Sequence, residues 1–379
     1  MFARNIRIEA RRVRLYQSIR TAHLERAHEL GTAAIVYQVQ RYDFDESAAK
    51  GIELMRASPI ETAFLIARSD LDVVEINEPL MLSSLLTSSL TIAALRLRYA
   101  GNPRRRPDVV TYAIGNSDPF AQMPTGARLR TRLRRRGERV LARYVMKRVD
   151  RVAFGTSDAR ALYGDVLGDG RSGARSTVIE ALPAACECIQ VARDADTVVF
   201  LGALVERKGF PLVLEAWEHV LALHPSARLR ILGKGPLESV ARAATDSTAS
   251  VSLHIDPDRS DIHTELRRSA VLVLPSQASA TWREQVGLPI VEGLAHGTTV
   301  VTTRETGLAS WLDSHGHGVV DSDAGPGDLA RAIVDRLIRR RSADEVLATL
   351  PARDGRLEAD DWLFAAPETP VISRVGPPR

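Results

Sequence analysis

Between Val271 and Thr303 the chain reads VLVLPSQASATWREQVGLPIVEGLAHGTTVVTT, and this stretch leaves few folds open. An apolar run, Val271 to Leu274, stops at Pro275. A polar loop follows, then a Gly-Leu-Pro turn at Gly287 to Pro289, and a second apolar run from Thr299 to Val301. Strand, loop, helix and strand in that order make a βαβ element. Two carboxylates, Glu284 and Glu292, sit beside the loop. With Pro289 in the first helical turn, Glu292 lies about one turn inside and Glu284 in the loop ahead, so both can face one pocket.

The rest of the chain repeats this alternation. At 379 residues it exceeds the usual size of one domain, so two are expected. In the first half, strands are expected at Asn5 to Ala10, Thr32 to Val39, Leu71 to Ile76, Asp108 to Ile114 and from Arg151 to Phe154. An arginine-rich loop, Arg11 to Tyr16, leads to a helix capped by Ser18. Gly51 to Ser58 reads as a further helix, and Pro79 opens a serine-rich one. After a linker at Pro183 to Asp196, strands are expected at Thr197 to Leu201, Arg228 to Leu232, Val251 to Ile255 and Val271 to Leu274. Helices fall between them, and another covers Asp328 to Arg340. This is an α/β chain with parallel sheets covered on both faces. The division is 1–188, 189–345 and a partly irregular extension, 346–379, with a loose tail from Pro367.

Composition removes some classes of function. The net charge of +4 is modest for the length, so bulk charge does not argue for nucleic acid. Cys186 and Cys188 are one residue apart, too close to bridge readily, and no further metal ligands lie nearby in sequence. They are expected to be ordinary reduced thiols, as in a reducing cytosol. Arg4, Arg7, Arg11 and Arg12 interrupt any signal-peptide core. Pro79 to Leu95 is too short and polar to span a bilayer and reads as a buried helix.

Three loops can hold a ligand. Gly202 to Gly209 (GALVERKG) follows the first strand of the second half, where an open sheet binds ligands, and presents Arg207 and Lys208 to a phosphate group. Gly233-Lys234-Gly235-Pro236 is a second glycine turn, and glycines let backbone N–H groups approach a ligand closely. It is not a dinucleotide fingerprint, because GxGxxG fails at Glu238. Glu292 suits the hydroxyls of a ribose, and Glu284 with the backbone of Gly287 and Leu288 suits those of a sugar.

EQVGLPIVE, bounded by Glu284 and Glu292, resembles the E-x7-E signature of retaining glycosyltransferases of family 4 with the GT-B fold. VVFLGALVERKGFPLVLEAW and LRILGKGP resemble the same family's donor-phosphate loop and the strand after it. The likeness covers Thr197 to Arg340 well, and the first half only through strand order and segments such as DVVEINEP and GTSDA. It implies two Rossmann-like domains facing a cleft, a nucleotide diphosphate sugar as donor, and a glycan or lipid-linked acceptor on the first domain. Glu292 would hold the ribose, and Glu284, Gly287 and Leu288 the transferred hexose. Gly202, Gly233 and Gly235 would line the donor site, while Arg207 and Lys208 neutralise the departing diphosphate. No metal and no cofactor are expected. Three departures stand out. Ala203 occupies a position where the family has arginine, Arg11 to Tyr16 stands where a glycine-rich loop is usual, and YAIGNSDPF lacks the family histidine. Arg11, Arg12, Asn116 and Asp118 are therefore the acceptor-side candidates.

The segment 128–151 is rich in arginine, with Leu133, Val140, Leu141, Tyr144 and Val145 in a broken apolar stripe. It suits an anionic membrane surface at the inner face of the membrane, or a solvated helix face. Few aromatics interleave with its arginines, so no nucleic acid is expected. The alternative to an enzyme is a non-catalytic nucleotide-sugar-binding or scaffold protein of the same fold.

Overall fold

The computed structural model describes residues 7–41, 44–121, 129–168, 174–189, 191–279 and 282–365. In the first half the strands are β1 (Arg12–Ile19), β2 (Ala34–Gln40), β3 (Leu54–Arg56), β4 (Val73–Glu75), β5 (Asp108–Ala113), β6 (Arg151–Phe154) and β7 (Arg175–Val178). The helices between them are α1 (Thr21–Glu29), α2 (Pro59–Arg68), α3 (Leu85–Arg98), α4 (Leu129–Met146) and α5 (Ser157–Leu167). The second half has β8 (Asp194–Leu201), β9 (Arg228–Leu232), β10 (Val251–His254), β11 (Ser269–Leu274), β12 (Thr299–Thr303) and β13 (Gly318–Val320). Its helices are α6 (Phe210–Leu223), α7 (Glu238–Ser247), α8 (Arg259–Arg268), α9 (Leu288–Ala295), α10 (Ala309–Ser314) and α11 (Pro326–Ile338), followed by α12 (Ala343–Leu347) and α13 (Gly355–Phe364).

All pairings among the strands named above are parallel. One sheet has the order β3-β2-β1-β4-β5-β6-β7 and the other β10-β9-β8-β11-β12-β13. Each is the doubly wound arrangement, whose order reverses beside its first strand. A crevice opens at that reversal beyond the carboxyl ends of the strands. In the second sheet the reversal lies between β8 and β11, and in the first between β1 and β4.

β11 and β12 are buried at every position, as befits strands covered on both faces. Val198, Phe200, Leu272, Val300, Phe210, Trp217 and Ile333 belong to one core shared by that sheet and its helices. The first sheet is covered on one side by α3, α4 and α5. Its other side is closed partly by α13, whose Ala359, Leu363 and Phe364 pack on Val73, Val110 and Ala153.

Within the C-terminal extension, expected to be partly irregular, α13 (Gly355–Phe364) returns to the first domain. The tail from Pro367 lies outside the described residues. Of the strand expected over Asn5 to Ala10, the described part, Arg7 to Ala10, is not a strand, and Asn5 and Ile6 lie outside the described residues. The first strand described is β1, which absorbs most of the expected loop Arg11 to Tyr16. Arg14 made that stretch look unsuited to a sheet interior. It is nonetheless buried, within 3.2 Å of Glu75 and 2.7 Å of Asp360. The helix expected over Gly51 to Ser58 is also displaced. Those residues hold the edge strand β3, and the helix starts at Pro59, where Ser58 and Glu61 form a reciprocal cap.

Candidate active site

The loops at the carboxyl ends of β8 and β11 converge. After β8 the chain passes Gly202 and makes a short 3₁₀ turn, Glu206–Lys208, that ends at Gly209. Gly209 has φ +70°, and a Cβ there would collide with the Pro275 carbonyl oxygen, so glycine is required on two counts. This close approach sets Lys208 against the loop after β11. Its ammonium pairs with the Glu284 carboxylate, which also accepts a hydrogen bond from Ser276 Oγ at 3.0 Å. The pair is largely buried, with Lys208 and Glu284 side chains 13% and 10% exposed. Desolvated charges in such a place are tolerated only when paired. Trp282 caps the group, its ring 4.7 Å from the Arg207 guanidinium and 5.4 Å from the Lys208 ammonium.

Gly202 and Gly233 are packed backbone on backbone, with φ of +147° and +153°, and a side chain at Gly233 would strike the Gly202 carbonyl. Gly235 similarly faces Leu204, whose carbonyl oxygen would lie 2.7 Å from a Cβ. The glycine turns therefore knit the β8 and β9 loops together. Gly287, at φ +83°, precedes α9, whose first residue Leu288 is 75% exposed and so borders open space. Glu292 stands one turn into α9. Burial pushes its carboxyl above the usual range, with Arg259 pulling it partly back. A group so placed gains most from hydroxyl donors or a nearby cation.

The first sheet contributes the facing wall. Glu78, just beyond β4, accepts hydrogen bonds from the Gly115 and Ile114 N–H groups at 2.9 and 3.1 Å and from the Tyr163 hydroxyl at 2.9 Å. Burial nevertheless raises its pKa, against the effect of those donors. Asn116 follows β5 and crosses the interface. Its Nδ2 donates to the Glu284 carbonyl and, at 3.0 Å, to the Glu305 carbonyl. Arg283 returns the contact by donating to the Asn116 carbonyl at 3.3 Å, and pairs with Glu305 at 2.7 Å. Between these walls lies a cleft of about 340 Å³, lined by Glu78, Gly115, Asn116, Trp282, Glu284 and Gln285 among others. That volume is within the range that holds a small molecule.

The structure thus brings Glu284 and Asn116 to one cleft, with Lys208 paired to Glu284 and Arg207 stacked on Trp282. Glu292, Gly287 and Leu288 lie on the helix that leaves it. Asp118 is turned elsewhere, accepting from the Phe120 N–H at 2.8 Å and standing 3.9 Å from Arg139. Arg11 and Arg12 are not brought to the cleft. Arg12 begins β1 and Arg11 precedes it, at the opposite end of the sheet, where Arg11 pairs with Asp70 and Asp72 and Arg12 lies over the Phe364 ring. Ser276, Trp282 and Glu78 are site residues that the sequence reading missed. Glu78 alone left a signal, since it follows an apolar strand in a sheet already expected to bind at that end.

Residues 195–339 match the family model for glycosyl transferases group 1. The chain is 30% identical over 175 residues to a phosphatidyl-myo-inositol mannosyltransferase of Mycolicibacterium smegmatis, covering 45% of this chain and 42% of the relative. It is 32% identical over 169 residues to the lipopolysaccharide core biosynthesis glycosyltransferase LpsE of Rhizobium meliloti, covering 43% of this chain and 47% of that one. The match therefore spans less than half the length of these curated relatives. The fold extends further. HepE of Anabaena, solved in complex with UDP, superposes with a TM-score of 0.63 at 12% identity, covering 94% of this chain and 96% of that one. The architecture is GT-B.

Proposed function

We propose that this chain, whose residues 195–339 match the family model for glycosyl transferases group 1, is a retaining glycosyltransferase. It moves a hexose from a nucleotide diphosphate sugar to a glycan or lipid-linked acceptor. The observation that carries this reading is the Lys208–Glu284–Ser276 cluster at the strand-order reversal of the second sheet, facing Glu78, Gly115 and Asn116 across one cleft. HepE's complex with UDP supports a nucleotide ligand. The names of the mannosyltransferase and of LpsE support an acceptor of the cell envelope.

In this scheme Glu292 holds the ribose, and Glu284 with the backbone of Gly287 and Leu288 holds the hexose. An arriving diphosphate competes with Glu284 for the Lys208 ammonium, which frees the carboxylate to accept from sugar hydroxyls. The bond from the anomeric carbon to the phosphate oxygen breaks, and the acceptor oxygen bonds to that carbon on the same face. The acceptor proton passes to the departing phosphate oxygen. Lys208 and Arg207 stabilise the charge that develops there, in a site preorganised by Gly209 and Trp282. Asn116 keeps the two walls in register. On α4, Leu133 and Val140 are exposed among arginines, which supports contact with an anionic membrane surface. No described helix is long and apolar enough to cross a membrane.

A thermal-shift screen with UDP, GDP and ADP sugars names the donor, since a ligand bound to the native state raises the unfolding temperature by mass action. Lys208→Ala and Glu292→Ala should each remove the shift and the transfer. Unchanged donor affinity in both variants refutes the assignment. Tight donor binding without turnover against a broad acceptor panel would instead favour the non-catalytic reading, which Ala203 and the absent histidine motivate.

A further inference from the structure

Cys186 and Cys188 have the partners that their sequence neighbourhood lacks. His263 from α8 and His296 from the end of α9 stand beside them, and one ligand atom from each of the four residues lies within 4.8 Å of every other. Cys186 Sγ is 3.7 Å from His263 Nδ1, and the two imidazole rings meet edge to face with centroids 4.7 Å apart. In a tetrahedral zinc site, with sulfur at about 2.3 Å and nitrogen at about 2.0 Å from the metal, neighbouring donors are roughly 3.5 Å apart. The cluster is already near that spacing and needs only a small contraction.

The histidine that seals the cluster is preset as a ligand. His296 is 2% exposed, and its Nδ1 is 2.6 Å from the Glu292 carbonyl oxygen. A carbonyl can only accept, so Nδ1 carries the proton and Nε2 presents its lone pair. That Nε2 is buried and has no hydrogen-bond partner. A backbone carbonyl that fixes the tautomer of a histidine is the usual outer-shell support of a zinc ligand. The sulfur side has its own support. The Arg267 guanidinium, 3% exposed, directs Nε at Cys188 Sγ at 3.4 Å and binds the Cys186 carbonyl. Among the described residues no carboxylate pairs with Arg267, so Cys188 as a thiolate is the acceptor suited to it.

We propose that Cys186, Cys188, His263 and His296 form a structural metal site for zinc(II). Two thiolates and two neutral imidazoles offset the double charge of the ion, and four protein ligands leave no position open for a substrate, so the site is closed rather than catalytic. Its position gives it a task. Cys186 and Cys188 lie in the segment between β7 and β8 that joins the two sheets, and the Cys186 N–H already donates to the Ala295 carbonyl at 2.8 Å. The metal would pin this connection to α8 and to the end of α9, the helix that carries Glu292 one turn earlier. This inference stands independently of the donor and acceptor proposed above.

The test is a titration of the full chain, stripped of metal and kept reduced, with Co²⁺ alone. Saturation at one equivalent, the intense visible bands of a tetrahedral ion, a thiolate charge-transfer band and displacement by Zn²⁺ are expected. Cys188→Ser and His263→Ala should each weaken binding by about 10–100-fold or more. Far-ultraviolet circular dichroism establishes that each variant is folded. Should a variant fail that check, a rise in the unfolding temperature of the parent chain with Zn²⁺, reversed by a chelator, supplies the supporting result. A pale octahedral spectrum, no saturation, equal binding by the folded Cys188→Ser chain, or no Zn²⁺-dependent rise would overturn the proposal.

Discussion

Replacing Asp360 with alanine should undo the attachment of α13 to the first sheet, and the cost can be worked from the contacts. Asp360 accepts from Arg14 Nη2 at 2.7 and 2.9 Å, from the Gly31 N–H at 3.1 Å and from Arg356 at 3.3 Å. Arg356 also pairs with Glu75 at 2.7 Å, so two arginines and two carboxylates balance in one group. Arg14 and Asp360 side chains are 1% and 2% exposed. Alanine at 360 leaves this group with a net positive charge and nothing to solvate it. Breaking a buried pair from one side costs about 3–5 kcal/mol. For a domain of this size each kcal/mol corresponds to roughly 2–4 °C, so a fall of roughly 10 °C in unfolding temperature is expected. Calorimetry measures it, and hydrogen exchange at β5 and β6 should show α13 opening first. A combined Arg14→Met, Asp360→Leu chain removes both charges and should recover much of the loss. A shift below about 2 °C for the single variant would refute the account, because the buried charge would then have found another partner.

Three further outcomes follow from the site and its supports. Gly209→Ala places a side chain at φ +70° against Pro275, so the loop must move and carry Lys208 away. Donor affinity by calorimetric titration should fall at least tenfold, and the left-handed φ adds about 1–2 kcal/mol of strain, so the unfolding temperature should also fall by a few degrees. Asn116→Ala leaves the Glu284 and Glu305 carbonyls without their bridging donor, at a cost of about 1–3 kcal/mol. Transfer should drop about tenfold or more with donor affinity kept, and equal loss of both would contradict a bridging role. His317 accepts from the Val300 N–H at 3.0 Å, and burial pushes its pKa down from 6.5 to about 3. The unfolded chain therefore takes up this proton first, and stability should fall as pH drops from about 6.5 towards 3. His317→Asn keeps an acceptor for Val300 and should flatten that part of the stability curve.

The central strands β8 and β11 of the second sheet were readable because they are buried on both faces there and so show unbroken apolar runs, VVFL and VLVL. β1 was misread for the opposite reason. Arg12 and Arg14 break the pattern, and what makes Arg14 tolerable inside a sheet, Asp360, is 346 residues away. β3 and β7 are short edge strands with exposed positions, and carry little periodicity to detect. Within the site, Lys208 and Glu284 were legible because each is a charged side chain in a loop between a strand and a helix. Ser276 and Trp282 were not, since only the collision-limited approach of Gly209 to Pro275 brings them to Lys208. Likewise Cys186 and Cys188 seemed to lack ligands because both histidines arrive from other elements.

The return of α13 to the first sheet bears on how the chain is made. Residues through Val178 complete the seven strands of that sheet, but the helix that covers Val110 and Ala153 begins only at Gly355. At about 5–20 residues per second, a ribosome needs roughly 10–35 s to supply it. During that interval an apolar face of the sheet stands open, and Arg14 has no Asp360. The earlier-made domain is thus the later one to be finished, and the second domain can close first. Chaperone dependence should accordingly concentrate on the first half, and ribosome-stalled chains ending before Gly355 should be more protease-sensitive there than in the second.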